Sequence, residues 1–161
     1  MGTIPPNLSP AAVAAVNPTL DGVVREHGVH LPLAIESGSR AWGFPSPDSD
    51  YDARFVFVRP AMQQLTIWPL RDVIETPIVG ELDVNGWALD KALRLLLKGA
   101  AVVIEWLQSP IVYRADPAFR DALLGFAERW ADRGRIASHY LHLGPRQRET
   151  RLGAGEPAPL K

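Results

Sequence analysis

The stretch "ESGSRAWGFPSPDSDYDARFVFV", from Glu36 to Val58, decides the fold. Three aspartates at alternate positions, Asp48, Asp50 and Asp52, stand just ahead of the run "ARFVFV" (53 to 58). That run is β-branched and aromatic and is stopped by Pro60, so it reads as the clearest strand in the chain. Carboxylates brought this close repel unless something positive sits between them. A bound cation is one answer and an exposed turn is another. Side chains two apart on a strand share a face about 6.6 Å apart, so Asp50 and Asp52 point the same way. Paired hard cations in a phosphoryl-transfer site sit about 3.5–4 Å apart, within reach of two carboxylates that lean inward.

Just upstream, "LPLAIES" (31 to 37) is a short apolar run that suits a buried strand, and it ends in Ser37-Gly38-Ser39. Glycine lets the backbone approach a phosphate closely, and free amides at a helix start, helped by a serine hydroxyl, suit an anion. Ten residues, Arg40 to Ser49, separate Gly38-Ser39 from Asp50. That length allows a turn that brings the chain back beside the first strand, making phosphate holder and metal holder neighbours.

The rest of the chain is ordinary by comparison. Its 161 residues make one domain with room for a small helical extension. Hydrophobic residues at 47% and charged residues at 22% exclude a disordered chain. A net charge of −1 excludes global attraction to nucleic acid or membrane, so any such partner needs a local patch. Without cysteine, a metal must be held by oxygen or imidazole, which favours hard cations. No secretory leader and no apolar run of membrane-spanning length is visible, so a cytoplasmic protein without a membrane partner is expected.

Ser9-Pro10 starts a helix that Asn17-Pro18 should bend or split. "QLTIW" and "RDVIE" are weak candidates for a short strand and a turn, and "VGELDVNGW" reads as a strand ending at Asn85-Gly86. Helices are expected over "WALDKALRLLLKG" (87 to 99), "AAVVIEWLQSP" (100 to 110), "DPAFRDALLGFAERWADRG" and "RIASHYLHLGPRQRETRL", the last interrupted at Gly144-Pro145. The order suggests an α/β (α+β) fold, a small mixed sheet with helices packed on one face and further helices at the C-terminus. The expected divisions are a flexible leader (1–8), the main domain (9–113), a C-terminal helical extension (114–152) and a flexible tail (153–161).

"GSRAWGFPSPDSDYDA" resembles the signature of the polymerase-beta-type nucleotidyltransferase superfamily, a Gly-Ser followed by Asp-x-Asp on the next strand. More closely, "ESGSRAWGFPSPDSDYDARFVFVRP", "LDVNGWALDKALRLLL" and "EWLQSPIVY" resemble a bacterial group of RNA repair pathway, or YcgL-like, nucleotidyltransferases. The resemblance covers Ala34 to Tyr113. It implies a palm-like sheet and an enzyme that moves a nucleoside monophosphate from an NTP to an acceptor hydroxyl, on RNA or protein, with release of pyrophosphate. It further implies that Gly38 and Ser39 hold the triphosphate and that Asp50 and Asp52 bind two magnesium or manganese ions. A third carboxylate on a later strand is Asp83 by preference, with Glu81, on the same face, as its rival. The group's Ser-Asn-Pro is replaced here by Gly99-Ala100-Ala101, and the group tends to continue past this chain's end, so a short version or a fragment is expected.

Other readings stand beside this one. A non-catalytic nucleotide-binding or interaction module would keep the same residues, and a protein-adenylylating toxin-antitoxin component would differ only in its acceptor. An EF-hand loop starting at Asp48 is excluded, because Ala53 and Arg59 fall where glycine and glutamate are required. Arg40 and Arg54 suit either phosphate binding or pairing with a nearby aspartate. Trp42 and Phe44 are expected to pack rather than stack on a base. His139 and His142 read as a solvated helix face rather than a metal pair, and Arg133, Arg135, Arg146, Arg148 and Arg151 as a charged helix end rather than an RNA contact. Glu105, in an apolar helix, should be either at the surface or paired.

Overall fold

A computed structural model describes residues 4–5, 8–46 and 48–141. His142, Arg146, Arg148, Arg151 and the expected tail lie outside the described residues. The first helix, α1 (Pro10–His27), is capped by Ser9, carries proline at its start and ends at Gly28 in a left-handed conformation. It is not split at Pro18. Proline forfeits one helical N–H, but Val16, Leu20 and Val23 lie buried on either side of it, and that packing carries the helix through.

Five strands form one mixed sheet in the order β3 (Val73–Glu75), β4 (Leu82–Ala88), β2 (Tyr51–Val58), β1 (His30–Glu36) and β5 (Val112–Ala115). The strand β1 runs antiparallel to both its neighbours, β2 and β5. β2 is parallel to β4, and β3 is antiparallel to β4 at the edge. Of the two weak candidates, only part of "RDVIE" pairs as β3. Ahead of "QLTIW" lies a one-turn helix, α3 (Ala61–Gln64), and Leu65, Ile67 and Trp68 are exposed.

Helices cover both faces of the sheet, not one. α1 packs against Leu31, Ala53, Phe55, Phe57 and Val84. On the other face Leu33, Ile35 and Val56 pack with residues of α4 (Leu89–Leu97), α5 (Ala101–Gln108) and α6 (Pro117–Trp130). The strands dictate this arrangement: β1 and β2 present apolar side chains on alternate positions of both faces, and each face needs cover. α6 begins where expected, with the Asp116 carboxylate accepting from the N–H groups of Ala118 and Phe119. Among the described residues no helix is long and apolar enough to cross a membrane.

The strand β4 does not end at Asn85-Gly86 but runs on to Ala88. Gly86 is a close-approach glycine: a Cβ there would lie 2.4 Å from the Phe55 carbonyl oxygen and 2.3 Å from its ring. The glycine thus lets Phe55 lie against the neighbouring strand instead of turning the chain. Residues 133–141 form a last helical segment, α7, which meets α5 where the Tyr140 hydroxyl donates to Glu105 Oε1 at 2.8 Å. Glu105 is therefore paired. Burial, then the Glu105 carboxylate, pushes the Tyr140 phenol up to about 12.

Two outcomes follow. Gly86→Ala should destabilise the fold by about 1–3 kcal/mol through overpacking, measured by denaturant unfolding. Because the Tyr140 phenol sits above its ordinary value of about 10, its bond to Glu105 is intact below that value and is lost as pH rises towards about 12. An ultraviolet tyrosinate titration should show this late step, and Tyr140→Phe should remove it.

Candidate active site

The parallel pairing of β2 and β4 sets two carboxylates side by side. Asp52 and Asp83 are register partners, each the second residue of its strand. Alternation points them to the face that carries Val56, Asn85 and Trp87, beyond the edge of the helical cover. Arg54, two residues along β2, reaches back between them: its Nη2 donates to Asp52 Oδ1 at 2.7 Å and to Asp83 Oδ2 at 2.8 Å. Its Nη1 donates to the Asp83 carbonyl at 3.0 Å. All three side chains are partly open to solvent, at 15% for Arg54, 30% for Asp52 and 29% for Asp83, so a ligand can reach them. Glu81 is exposed and lies ahead of β4, where its carbonyl accepts from the Tyr51 N–H. It is Asp83, not Glu81, that stands opposite Asp52.

On the other side of Asp52, β1 ends and the four-residue helix α2 (Gly38–Ala41) begins. Gly38 has φ +65°, and a Cβ there would fall 2.2 Å from Asp52 Oδ2. The glycine turn is therefore packed against the carboxylate. The Ser39 hydroxyl donates to Ser49 Oγ at 3.1 Å, and Ser49 Oγ also accepts from the Ser46 N–H at 2.8 Å. Arg40 serves as a strut: it donates to the carbonyls of Ser49 and Asp50 and lies 3.9 Å over the Tyr51 ring. It pins the segment that carries Asp50, which is itself exposed just ahead of β2. Each arginine thus has protein partners, Arg54 through carboxylates and Arg40 through carbonyls and a ring.

Trp42 and Phe44 do not pack. They are 46% and 69% exposed. Their loop is fixed by its own polar bonds, Phe44 N–H to the Ser39 carbonyl among them, and by Gly43 at φ +81°, so it needs no aromatic anchor in the core. His139 stacks edge-on against Tyr140. Among the described residues no group of three or more His, Cys, Asp or Glu is placed to hold a metal ion.

One residue of this region went unread in the sequence. Glu36, the last residue of β1, is fully buried. Its Oε1 accepts the Asp52 N–H at 2.9 Å and its Oε2 accepts the Tyr113 hydroxyl at 2.6 Å. Burial raises the Glu36 carboxyl above the usual carboxylate range, against the lowering effect of its two donors. Burial, then the nearby carboxylate, raises Tyr113 as well. The signal was an acid closing the apolar run "LPLAIE".

The donor chemistry fits a hard divalent cation. Asp52 and Asp83 already converge on one cationic nitrogen, and Asp50 is close in sequence. Magnesium takes only one or two carboxylates in most such sites and completes its shell with water and substrate phosphates. A pair of carboxylates open to solvent meets that requirement.

A glycine turn thus stands against one of two facing carboxylates on parallel strands. Residues 13–161 match the RNA repair pathway DNA polymerase beta family, RlaP, and the chain belongs to that family. It is 51% identical over 94 residues to the uncharacterized protein YcgL of Bacillus subtilis strain 168, a match that covers 58% of this chain and 36% of YcgL. The matched part of the chain spans about a third of that relative's length.

Gly38→Ala should lose about 1–2 kcal/mol of stability from left-handed strain and should also displace the Asp52 carboxylate. Gly43→Ala carries similar strain but meets nothing within 4 Å. Comparing the unfolding of the two variants isolates the displacement, since only the Gly38 variant should lose stability beyond the shared strain.

Proposed function

We propose that this chain is a nucleotidyltransferase, moving a nucleoside monophosphate from an NTP to an acceptor hydroxyl. The observation that carries this reading is the contact of Gly38 with Asp52 and of Asp52, through Arg54, with Asp83. Amides of the turn at Gly38 and Ser39 would receive the triphosphate. The acceptor oxygen would form a bond to the α-phosphorus as the bond to the bridging oxygen breaks and pyrophosphate leaves. Asp83 would take up the hydroxyl proton or orient the group that does. Magnesium or manganese held by the facing carboxylates of Asp52 and Asp83, with Asp50 beside them in sequence, would supply charge neutralisation at the phosphates. Positioning and charge are most of what such a transfer requires. RNA or a protein side chain would provide the hydroxyl.

One observation favours a second reading, a nucleotide-binding module without turnover. The Arg54 guanidinium already bridges Asp52 and Asp83 and offsets one of their two charges, so the pair is held together without a bound cation.

Incubation with each α-labelled NTP and magnesium, with and without RNA, separates the two. Label transfer or pyrophosphate release should fall by about 100-fold or more in Asp50→Ala, Asp52→Ala and Asp83→Asn. Magnesium-dependent NTP binding with no turnover in the unaltered chain would sink the transferase and leave the module.

A further inference from the structure

The main chain of Asp52 is held at both its carbonyl and its N–H by the two residues where β1 stops. Ser37 N–H donates to the Asp52 carbonyl at 2.9 Å, which is half of an antiparallel rung. The other half would bring the Asp52 N–H to the Ser37 carbonyl, but at Ser37 and Gly38 the chain swings away into α2. The Glu36 side chain takes that N–H instead, at 2.9 Å. A side-chain carboxylate thus completes a rung that the main chain gives up to make the glycine turn.

The carboxylate is itself locked. Tyr113, on β5, donates to its second oxygen at 2.6 Å. Ser109 donates to the Glu36 carbonyl at 2.6 Å, and the Glu36 N–H donates to the Ile111 carbonyl at 3.0 Å. Glu36 has no exposed surface through which to meet a substrate.

We propose that Glu36 is a positioning residue: it fixes the Asp52 backbone so that the Asp52 carboxylate stands between the Gly38 turn and Asp83. This rests on the nucleotidyl-transfer reading for its effect on rate, but not for its effect on Asp52 itself. The role needs an acceptor aimed at the Asp52 N–H, not a negative charge. A glutamine can supply that acceptor while its NH2 group donates to Tyr113 Oη. A leucine cannot.

The test compares Glu36→Gln, Glu36→Leu and Tyr113→Phe in the full chain. It reads Asp52 amide hydrogen exchange by NMR beside kcat and KM for the NTP. Leucine should speed Asp52 exchange by about 10-fold or more through loss of the hydrogen bond. It should also lower kcat by about 100-fold with a smaller change in KM, as a misplaced group does. Glutamine should keep exchange slow and recover most of that loss, ending about 3- to 10-fold below the unaltered chain because its hydrogen bonds are neutral. Tyr113→Phe, which leaves the Asp52 bond in place but unbraced, should speed exchange by about 3-fold. If the leucine variant does not fold, the glutamine variant decides the matter, since a fast-exchanging Asp52 amide there overturns the proposal. A glutamine variant as impaired as the leucine one, or a folded leucine variant with a fully protected Asp52 amide, overturns it too. If the unaltered chain turns over no NTP, the transferase reading fails while the exchange data still judge Glu36.

Discussion

Two carboxylates held opposite each other across neighbouring strands are the constraint on which this structure turns. Asp52 and Asp83 share a register position, and at such a separation like charges oppose the strand pairing that brings them together. Arg54 resolves the conflict from within β2, with one nitrogen shared by both acids. Pairing of β2 with β4, and so the centre of the sheet, is compatible with this chemistry only because the cation lies two residues along the same face.

That face is divided along its length. Near the ends of β2 and β4 where Asp52 and Asp83 lie, it is polar and open. Further along, Val56 and Trp87 go under the helices, where Trp87 stacks on Trp106 at 4.2 Å. The opposite face is apolar through Ala53, Phe55 and Phe57 beneath α1. The strands are thus anchored by one face and by half of the other, which leaves a short stretch of rigid sheet for polar work. Functional groups set on such a scaffold hold their geometry better than groups on loops.

What the sequence disclosed was local. Gly38, Ser39, Asp50 and Asp52 fall within fifteen residues, and their spacing alone makes turn and strand end meet. Asp83 enters through the family resemblance, and alternation alone leaves Glu81 on the same face as its rival. Most of the misread features depend on a neighbour distant in sequence. Gly86 looked like a turn because Phe55, which lies against it, is on another strand. Pro18 looked like a break because the packing that holds α1 together comes from the sheet. Trp42 and Phe44 looked like core because aromatic content says nothing of what lies beneath a loop. The role of Glu36 is not legible from the sequence because its partners, the Asp52 amide and Tyr113, come together only in the folded sheet.

The bonds that build the site join residues 16, 29 and 77 positions apart. No short fragment can contain them all, so the site exists only once β1, β2, β4 and β5 have closed on one another. Such long-range pairings make for slow folding, since chain entropy is spent before they form. A molecule bound at this junction would in return hold four strands together at once, so its binding energy would be felt as resistance of the entire sheet to unfolding and not as local stiffening of a loop.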